Sequence, residues 1–240
     1  MTQKQVNRQF LRWLIGFILI ILISVGSGVL ILLTNMDDNY KYIFFFIILI
    51  ALIFVIGYFK NRLAQITNHA YIIKIHEAPA EPIKTYHGSL ESVEKRVLKK
   101  DFKLFFSNNH CKLFSRVSRD TIIKTRKRFM LEVVVVVLKG SEFFLDEVND
   151  QIDKLQSEQH KAKVKIDKLF VTQIKEVKEM TEETKTKIKE IAFIRSQNGV
   201  ISIVNVGLHF DSEQAIMLYS DTYRPSLYYE YHINLIKDII

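Results

Sequence analysis

Residues 13–33 read WLIGFILIILISVGSGVLILL, and residues 42–59 read YIFFFIILIALIFVIGYF. Neither stretch contains a charged side chain. A helix rises about 1.5 Å per residue and the hydrocarbon core of a bilayer is about 30 Å thick, so both stretches fall within the spanning range, the second near its short end. The link of residues 34–41 is so short that the two helices must be antiparallel neighbours. The sequence therefore predicts an N-terminal transmembrane hairpin.

The cations beside the two spans predict their orientation. Three precede the first span, in a tail of residues 1–12, and two follow the second: Lys4, Arg8, Arg12, Lys60 and Arg62. The link carries one lysine and two aspartates instead. Because cytoplasmic flanks are enriched in Lys and Arg, we expect a two-span protein of the cell membrane with both termini in the cytoplasm.

Two other interpretations of these stretches fit less well. A cleaved signal peptide has a shorter apolar region and a small-residue cleavage site, which does not follow the first stretch. Buried helices of a soluble protein rarely run this far without a charge. Transporters and pumps usually need an ionisable residue inside the bilayer, and neither span has one. The hairpin is therefore interpreted as an anchor.

Residues 60–240 carry nearly all the charge of this 240-residue chain, whose formal net charge is +8. Their number suffices for one domain with its own core. Helical and strand signals are mixed along it, which predicts an α+β fold. We expect a membrane-anchored cytoplasmic domain with a mostly antiparallel sheet and several helices, one of them long.

Local patterns place the elements of this domain. Five consecutive valines at 133–137 predict a buried central strand, because β-branched apolar residues favour strands covered on both faces. The predicted strands cover residues 71–75, 112–117, 128–138, 200–209 and 215–219. The predicted helices cover residues 89–106, 142–179 and 181–194, and a closing helix runs from Pro225 to the C-terminus.

The segment 142–179 admits two interpretations. Apolar residues from Leu145 to Leu169 recur by threes and fours, a heptad-like spacing that favours one long helix. In the competing interpretation the helix stops near residue 160 and residues 169–177 form a strand. The heptads, with the small-residue patch Ser24–Gly28 in the first span, also suggest a homo-oligomer. Such small residues are equally common in membrane helices that do not associate.

A basic block, residues 95–128, contains twelve Lys or Arg against two Asp. Its candidate binding residues are Lys95, Arg96, Lys99, Lys100, Lys103, Arg126, Lys127 and Arg128. The block has three interpretations: a solvated surface, a patch that meets anionic lipid headgroups, or a patch that meets nucleic acid. No RNA- or DNA-binding module is recognisable, so nucleic acid is the least favoured of the three.

Few residues suggest catalysis. His209-x-Asp211 closes a predicted strand and Asp221 follows its predicted partner, so a hairpin could gather these ligands for a hard metal ion. Gln173-x-Lys175 matches the Q-x-K element of some restriction-type nucleases, but the predicted helix misplaces the pair and no upstream acid is obvious. Turn aspartates are usually structural. We therefore predict no metal and no cofactor.

The C-terminal tyrosines have two interpretations. Between Tyr219 and His232 several tyrosines lie near Arg224, a combination that favours protein interfaces. We favour the alternative, in which Tyr231 packs in the core and the other tyrosines cover the sheet edge.

The remaining motifs narrow the function class without naming it. The single cysteine, Cys111, forms no intrachain disulfide and lacks a neighbouring base suited to a nucleophile. No Walker A loop, G-x-G-x-x-G, G-x-S-x-G or H-E-x-x-H is present. We expect a membrane-tethered scaffold, adaptor or regulatory domain at the inner leaflet, with a protein partner. The alternative is a membrane-anchored metal-dependent hydrolase or nuclease.

Overall fold

The chain forms two compact units, Met1–Ile73 and Lys74–Ile240. A computed structural model describes most of both. The described residues are 2–77, 79, 84–85, 88–122, 128–138, 142–196 and 199–240. The predicted lipid-binding residues Arg126 and Lys127 lie outside this set.

Two long helices begin the chain, α1 (Gln3–Leu33) and α2 (Asp38–Glu77). Both are long and apolar enough to cross a membrane, with mean hydropathies of 2.8 and 2.9 in their most apolar windows. The predicted spans lie inside them. The predicted strand at 71–75 is wrong, because α2 continues through it and ends just before Pro79, where a helix cannot easily continue.

Glycines bring α1 and α2 together within the first unit. A Cβ atom on Gly28 would lie 3.2 Å from the ring of Phe45, and one on Gly16 would lie 3.6 Å from the ring of Phe59. Ser24 donates a hydrogen bond to the Ile20 carbonyl of its own helix. Gly28 of the small-residue patch therefore packs against the second helix of the same chain.

The second unit is built on an open, mixed sheet of eight strands. The strands are β1 (Lys84–Thr85), β2 (Lys103–Ser107), β3 (Cys111–Arg119), β4 (Phe129–Val137), β5 (Ile166–Glu176), β6 (Ala192–Arg195), β7 (Val200–His209) and β8 (Gln214–Met217). The helices are α3 (Leu90–Lys99), α4 (Asp146–Lys161), α5 (Glu182–Ile188) and α6 (Leu227–Ile239). The strand order is β1-β8-β7-β5-β4-β3-β2, and β6 pairs with the free part of β7.

The predicted α+β class holds in its helices and sheet, but the prediction of a mostly antiparallel sheet is partly wrong. The three central strands β4, β5 and β7 are parallel, and antiparallel pairs flank them. The reason is that β4 and β5 are joined through α4, and β5 and β7 through α5, whereas hairpin turns join only antiparallel strands. The five valines lie on β4 in the middle of the sheet, all of them buried.

Helices cover both faces of the central strands. On one face α4 packs Val148, Ile152 and Leu155 against alternate residues of β4 and β5. On the other face α6 is bonded to β7 through His232 and Ser202. Because β4 is covered on both sides, it carries apolar residues without alternation.

The long predicted helix at 142–179 is wrong, and the competing interpretation is confirmed. Helix α4 ends at Lys161, Lys163 takes a φ of 59°, and β5 follows. The prediction failed because the buried apolar residues of β5 continue the spacing by threes and fours that begins in α4. Two further predicted helices are too long for a similar reason. Residues 89–106 divide into α3 and β2 at Asp101, whose φ is 65°, and residues 181–194 divide into α5 and β6.

The other predicted elements are confirmed. Strands β3 and β4 match residues 112–117 and 128–138. The hairpin of β7 and β8 has the predicted antiparallel pairing. The closing helix α6 begins after its N-cap Ser226, whose hydroxyl accepts a hydrogen bond from the Tyr229 amide.

Candidate functional site

Of the two predicted metal ligands at the end of β7, only the histidine has partners within the part of the chain that the structure describes. His209 contacts the Ser212 hydroxyl through Nδ1 at 2.6 Å and the Lys178 carbonyl through Nε2 at 3.1 Å. Asp211 is exposed in the turn that follows. Both imidazole nitrogens thus have protein partners, and the histidine holds the turn between β7 and β8.

Asp221 does not join this pair. In the β7–β8 hairpin His209 lies opposite Gln214, and Met217 lies opposite Val206, so β8 carries the chain away from His209. Asp221 ends beside α6, where it accepts a bond from Lys237 at 3.5 Å. Among the described residues no three His, Cys, Asp or Glu are grouped closely enough to hold a metal ion.

Cys111 lies inside the core. Its side chain is fully buried in β3 among apolar residues of β4 and α4. Burial, with a smaller effect from Glu147, raises the pKa of the Cys111 thiol. A thiol in that setting stays protonated and is a poor nucleophile.

Gln173 and Lys175 do lie on a strand, contrary to the helix prediction. They point to the same face of β5, and the Gln173 side chain is buried and accepts a hydrogen bond from the Phe144 amide at 2.9 Å. The positions paired with Gln173 are Val135 and Asn205. Those paired with Lys175 are Val137 and Gly207. No carboxylate occupies these four neighbouring positions, so the acid that a nuclease site needs beside the lysine is missing from them.

Lys175 lines a cleft at the C-terminal ends of β4 and β5, called here the strand-end cleft. Its volume is about 400 Å³. Its lining combines the apolar side chains of Leu138, Phe143 and Val177 with three lysines and three glutamates: Lys175, Lys178, Lys187, Glu142, Glu176 and Glu179. Ligands of open α/β sheets bind at the carboxyl ends of parallel strands. The cleft therefore occupies the position where this kind of sheet usually carries its site.

The wall formed by α5 is fixed by two residues of β7. Asn205 donates hydrogen bonds to the carbonyls of Lys187 and Glu190, at 2.9 and 3.0 Å, and so caps the end of α5. Gly207 leaves room for the helix, since a Cβ atom there would lie 2.4 Å from Ile188. Neither role could be predicted from the sequence, because both residues look like ordinary members of a strand.

The lysines of the strand-end cleft differ in their partners. Lys187 binds Glu183 at 3.0 Å and Glu142 at 3.3 Å, and these bonds raise its pKa. Lys175 is partly buried, with its ammonium 5.7 Å from the centre of the Phe143 ring. It has no carboxylate partner among the residues that the structure describes. Lys178, which also lines the cleft, is exposed and likewise has no carboxylate partner in the described part of the chain, so what distinguishes Lys175 is its partial burial.

The basic block is less free than its composition suggests. Arg116 binds Glu132, Arg128 binds Asp167, and Lys112 binds Glu94 at 2.8 Å. Arg96 donates a hydrogen bond to the Ile240 carbonyl, and Lys100 binds Asp238 at 2.8 Å. Of the predicted lipid-binding residues, Lys95, Lys99 and Lys103 are exposed and have no carboxylate partner within the described part of the chain.

Glu132 lies at the centre of a polar cluster under α6. Its side chain is fully buried in β4 and accepts hydrogen bonds from Arg116 Nε at 2.6 Å, Ser118 at 2.8 Å and the Tyr231 hydroxyl at 2.6 Å. Burial and the bond to Glu132 raise the pKa of Tyr231 to about 12, so the phenol stays a donor. A buried carboxylate with one cation and two hydroxyls is well compensated.

A second cluster lies at the start of the parallel strands. Buried Asp120 accepts a hydrogen bond from Tyr228 at 2.7 Å and binds Lys168 at 3.2 Å. Lys168 also lies 3.7 Å from Asp167, which binds Arg128. The two clusters together are called the α6-side network. Its three acids, Glu132, Asp120 and Asp167, are paired with three bases, Arg116, Lys168 and Arg128. The expectation that Tyr231 packs in the core while the other tyrosines cover the sheet edge is largely wrong, since Tyr228 and Tyr229 are buried and Tyr231 is only partly buried.

Comparison with known proteins adds no assignment. No family model matches the chain, and neither a curated protein nor a solved structure matches it significantly. The function therefore has to come from the cleft, the charges and the two apolar helices.

Proposed function

We propose that this protein is a membrane-tethered adaptor, which holds an acidic segment of a protein partner at the inner face of the membrane through the strand-end cleft. The observation that carries the proposal is Lys175, a partly buried cation without a carboxylate partner among the described residues, in a cleft at the ends of parallel strands. The spans supply the tether and the cleft supplies the binding site.

The tether rests on the length and charge pattern of α1 and α2. Trp13 and Tyr58, whose ring centres are 5.9 Å apart, lie next to Arg62, whose guanidinium is 5.7 Å from the Trp13 ring. Aromatic residues beside cations are typical of the water interface on the cytoplasmic side. This arrangement supports a topology with both termini inside.

Adaptor function is supported by how the cleft is lined. Leu138, Phe143 and Val177 offer apolar contacts, while Lys175 offers a charge-assisted hydrogen bond. A carboxylate of a partner would satisfy a cation that the described residues leave without an acidic partner. The alternative of a metal-dependent hydrolase or nuclease has less support, because His209, Asp211 and Asp221 do not converge and the positions paired with Lys175 on β4 and β7 carry no acid.

Quantitative co-purification tests the adaptor. The full chain is expressed in its native membrane, solubilised and recovered as wild type, as Lys175→Met, and as the control Lys154→Met, which removes an exposed lysine of α4. A lost charged hydrogen bond of about 1.5–3 kcal/mol predicts at least a tenfold fall in recovered partner for Lys175→Met only. Equal recovery from all three proteins contradicts the role of the cleft.

Cysteine labelling tests the tether separately. Because Cys111 is buried, an added cysteine gives the main signal. Asn35→Cys in the link should react with an impermeant maleimide in intact cells, while Ser157→Cys on α4 should react only after permeabilisation. The reverse pattern, or labelling of both sites in intact cells, overturns the proposed topology.

A further inference from the structure

We propose that the corner between α3 and β2 binds the anionic headgroups of the bilayer in which the chain is anchored. The α3–β2 corner is defined by Lys95, Leu98, Lys99, Lys103 and Leu104. It combines exposed leucines with exposed lysines in ten consecutive residues. The inference rests on the membrane tether of the proposed function but not on the strand-end cleft.

The leucines of the corner face solvent. Leu98 is 51% exposed and Leu104 is 53% exposed, although both belong to regular elements of a folded unit. Residues at such positions in a soluble surface are usually polar. Their exposure on both sides of one turn gives the corner two apolar side chains that the described part of the chain covers only by about half.

The lysines of the corner are free to bind. Lys95, Lys99 and Lys103 are exposed, and the structure gives them no carboxylate partner within its described residues. The acid of the corner is Asp101, which is exposed as well, so the corner keeps a net positive charge. The neighbouring cations Arg96 and Lys100 are instead held by the Ile240 carbonyl and by Asp238.

The corner is held in shape from beneath. Asp101 turns the chain with a φ of 65°, and the next residue, Phe102, is buried with the Arg116 guanidinium 4.6 Å from its ring centre. Arg116 in turn donates a hydrogen bond to the Lys100 carbonyl at 2.6 Å. The exposed side chains are therefore displayed on a fixed backbone.

This chemistry fits a lipid surface better than nucleic acid. Apolar side chains beside lysines are the composition of elements that lie at a bilayer interface, where leucine enters the acyl boundary and lysine meets headgroup phosphate. Surfaces that bind single-stranded nucleic acid rely on exposed aromatic side chains for stacking, and the corner exposes none. Tethering also makes contact with lipid an intramolecular event, which raises its effective concentration.

Site-specific fluorescence on the full chain tests the inference. Leu98→Cys carries an environment-sensitive dye in nanodiscs of phosphatidylcholine with or without 30% phosphatidylglycerol, and both sets contain the same amount of a headgroup-proximal quencher. Leu227→Cys, at an exposed leucine some 18 Å along α6 from its C-terminal end, is the matched dye position. Dye at Leu98 should be quenched several-fold more in anionic discs, and dye at Leu227 should not change.

Charge reversal identifies the contact. Lys95→Glu, Lys99→Glu and Lys103→Glu together should abolish the difference between discs, lowering the bound fraction at least about tenfold. The control reverses three exposed lysines outside the corner, Lys154, Lys161 and Lys165, and should leave the difference intact. Equal effects of the two triple variants would mean a general charge effect and would overturn the proposal.

Two further outcomes separate the possibilities. A response at Leu98 to an added oligonucleotide in neutral discs, without a response to anionic lipid, would assign the surface to nucleic acid and overturn the inference. If the labelling experiment gives the proposed topology but the dye at Leu98 does not respond to anionic lipid, only the lipid contact of the corner is overturned. If the labelling pattern is reversed, the proposed membrane topology is overturned as well.

Discussion

The face of the sheet under α6 and the strand-end cleft use the same kinds of residue in opposite ways. Under α6 each charge of the α6-side network is matched: Glu132 with Arg116, and Asp120 with Lys168. In the cleft one lysine is paired with glutamates, but Lys175 has no such match among the described residues. The contrast teaches that the charges under α6 hold the fold together, whereas the unmatched charge at the strand ends is the one to which we have assigned the proposed binding role. Substitutions in the two regions should therefore affect different properties.

The largest expected effect is on stability, at Glu132. Glu132→Ala leaves Arg116, Ser118 and Tyr231 without their shared acceptor in the interior, so we expect a loss of about 3–5 kcal/mol in the free energy of unfolding. Urea unfolding in detergent micelles, followed by near-ultraviolet circular dichroism of tyrosine, measures it. The control Asp221→Ala breaks the exposed pair with Lys237 and should cost less than about 1 kcal/mol. Similar losses for the two variants would remove the distinction between the regions.

A smaller effect depends on pH and arises at His232. This residue lies fully buried between Thr172 and Ser202, and burial lowers its pKa to about 3. Below pH 6.5 this imidazole binds a proton in the unfolded chain but stays neutral in the folded chain. The free energy of unfolding therefore falls as the pH drops from 6.5 towards 3. Above pH 6.5 this group has no effect on stability.

His232→Gln should remove that pH dependence. Between pH 7.5 and 5.5 the wild type should lose about 1.4 kcal/mol more unfolding free energy than the variant. His160→Gln, at an exposed histidine of α4, should behave like the wild type. Parallel pH profiles for wild type and His232→Gln would show that the imidazole is not kept neutral by burial.

The smallest effect on stability is expected at Lys175. Lys175→Met keeps the apolar stem and removes a charge that the described residues leave unmatched, so unfolding free energy should change by less than about 0.5 kcal/mol. Its effect should appear instead in the co-purification experiment. A loss of more than about 2 kcal/mol in the free energy of unfolding would show that Lys175 stabilises the fold, as the charges under α6 do.

Sequence patterns predicted the elements that pack mainly against segments adjacent to them in the chain. The valines of β4, the hairpin of β7 and β8, and helix α6 just after Pro225 follow from local signals. The pattern failed where burial came from distant segments. The run after residue 160 kept a helical period, yet it is β5, whose apolar residues face helices on both sides.

The site was harder to predict than the fold. The unmatched state of Lys175 depends on which residues lie beside it on β4 and β7, and the parallel order of those strands is not written in any short motif. Likewise Arg116 and Arg128 look like members of a basic surface in sequence, but each is partly buried and paired with a buried carboxylate, Glu132 or Asp167. Charge counts alone overstated the free positive surface.

The position of β4 in the middle of the sheet has a consequence during synthesis. Its five valines can pair with β3 as soon as they are made, but the other edge of β4 waits for β5, which follows only after α4. At 5–20 residues per second the interval between the ends of the two strands is roughly 2–8 s. For that time a strand of high aggregation tendency is half-covered. We infer that the nascent chain depends on rapid translation through α4 or on a chaperone, although β4 is fully buried once the protein has folded.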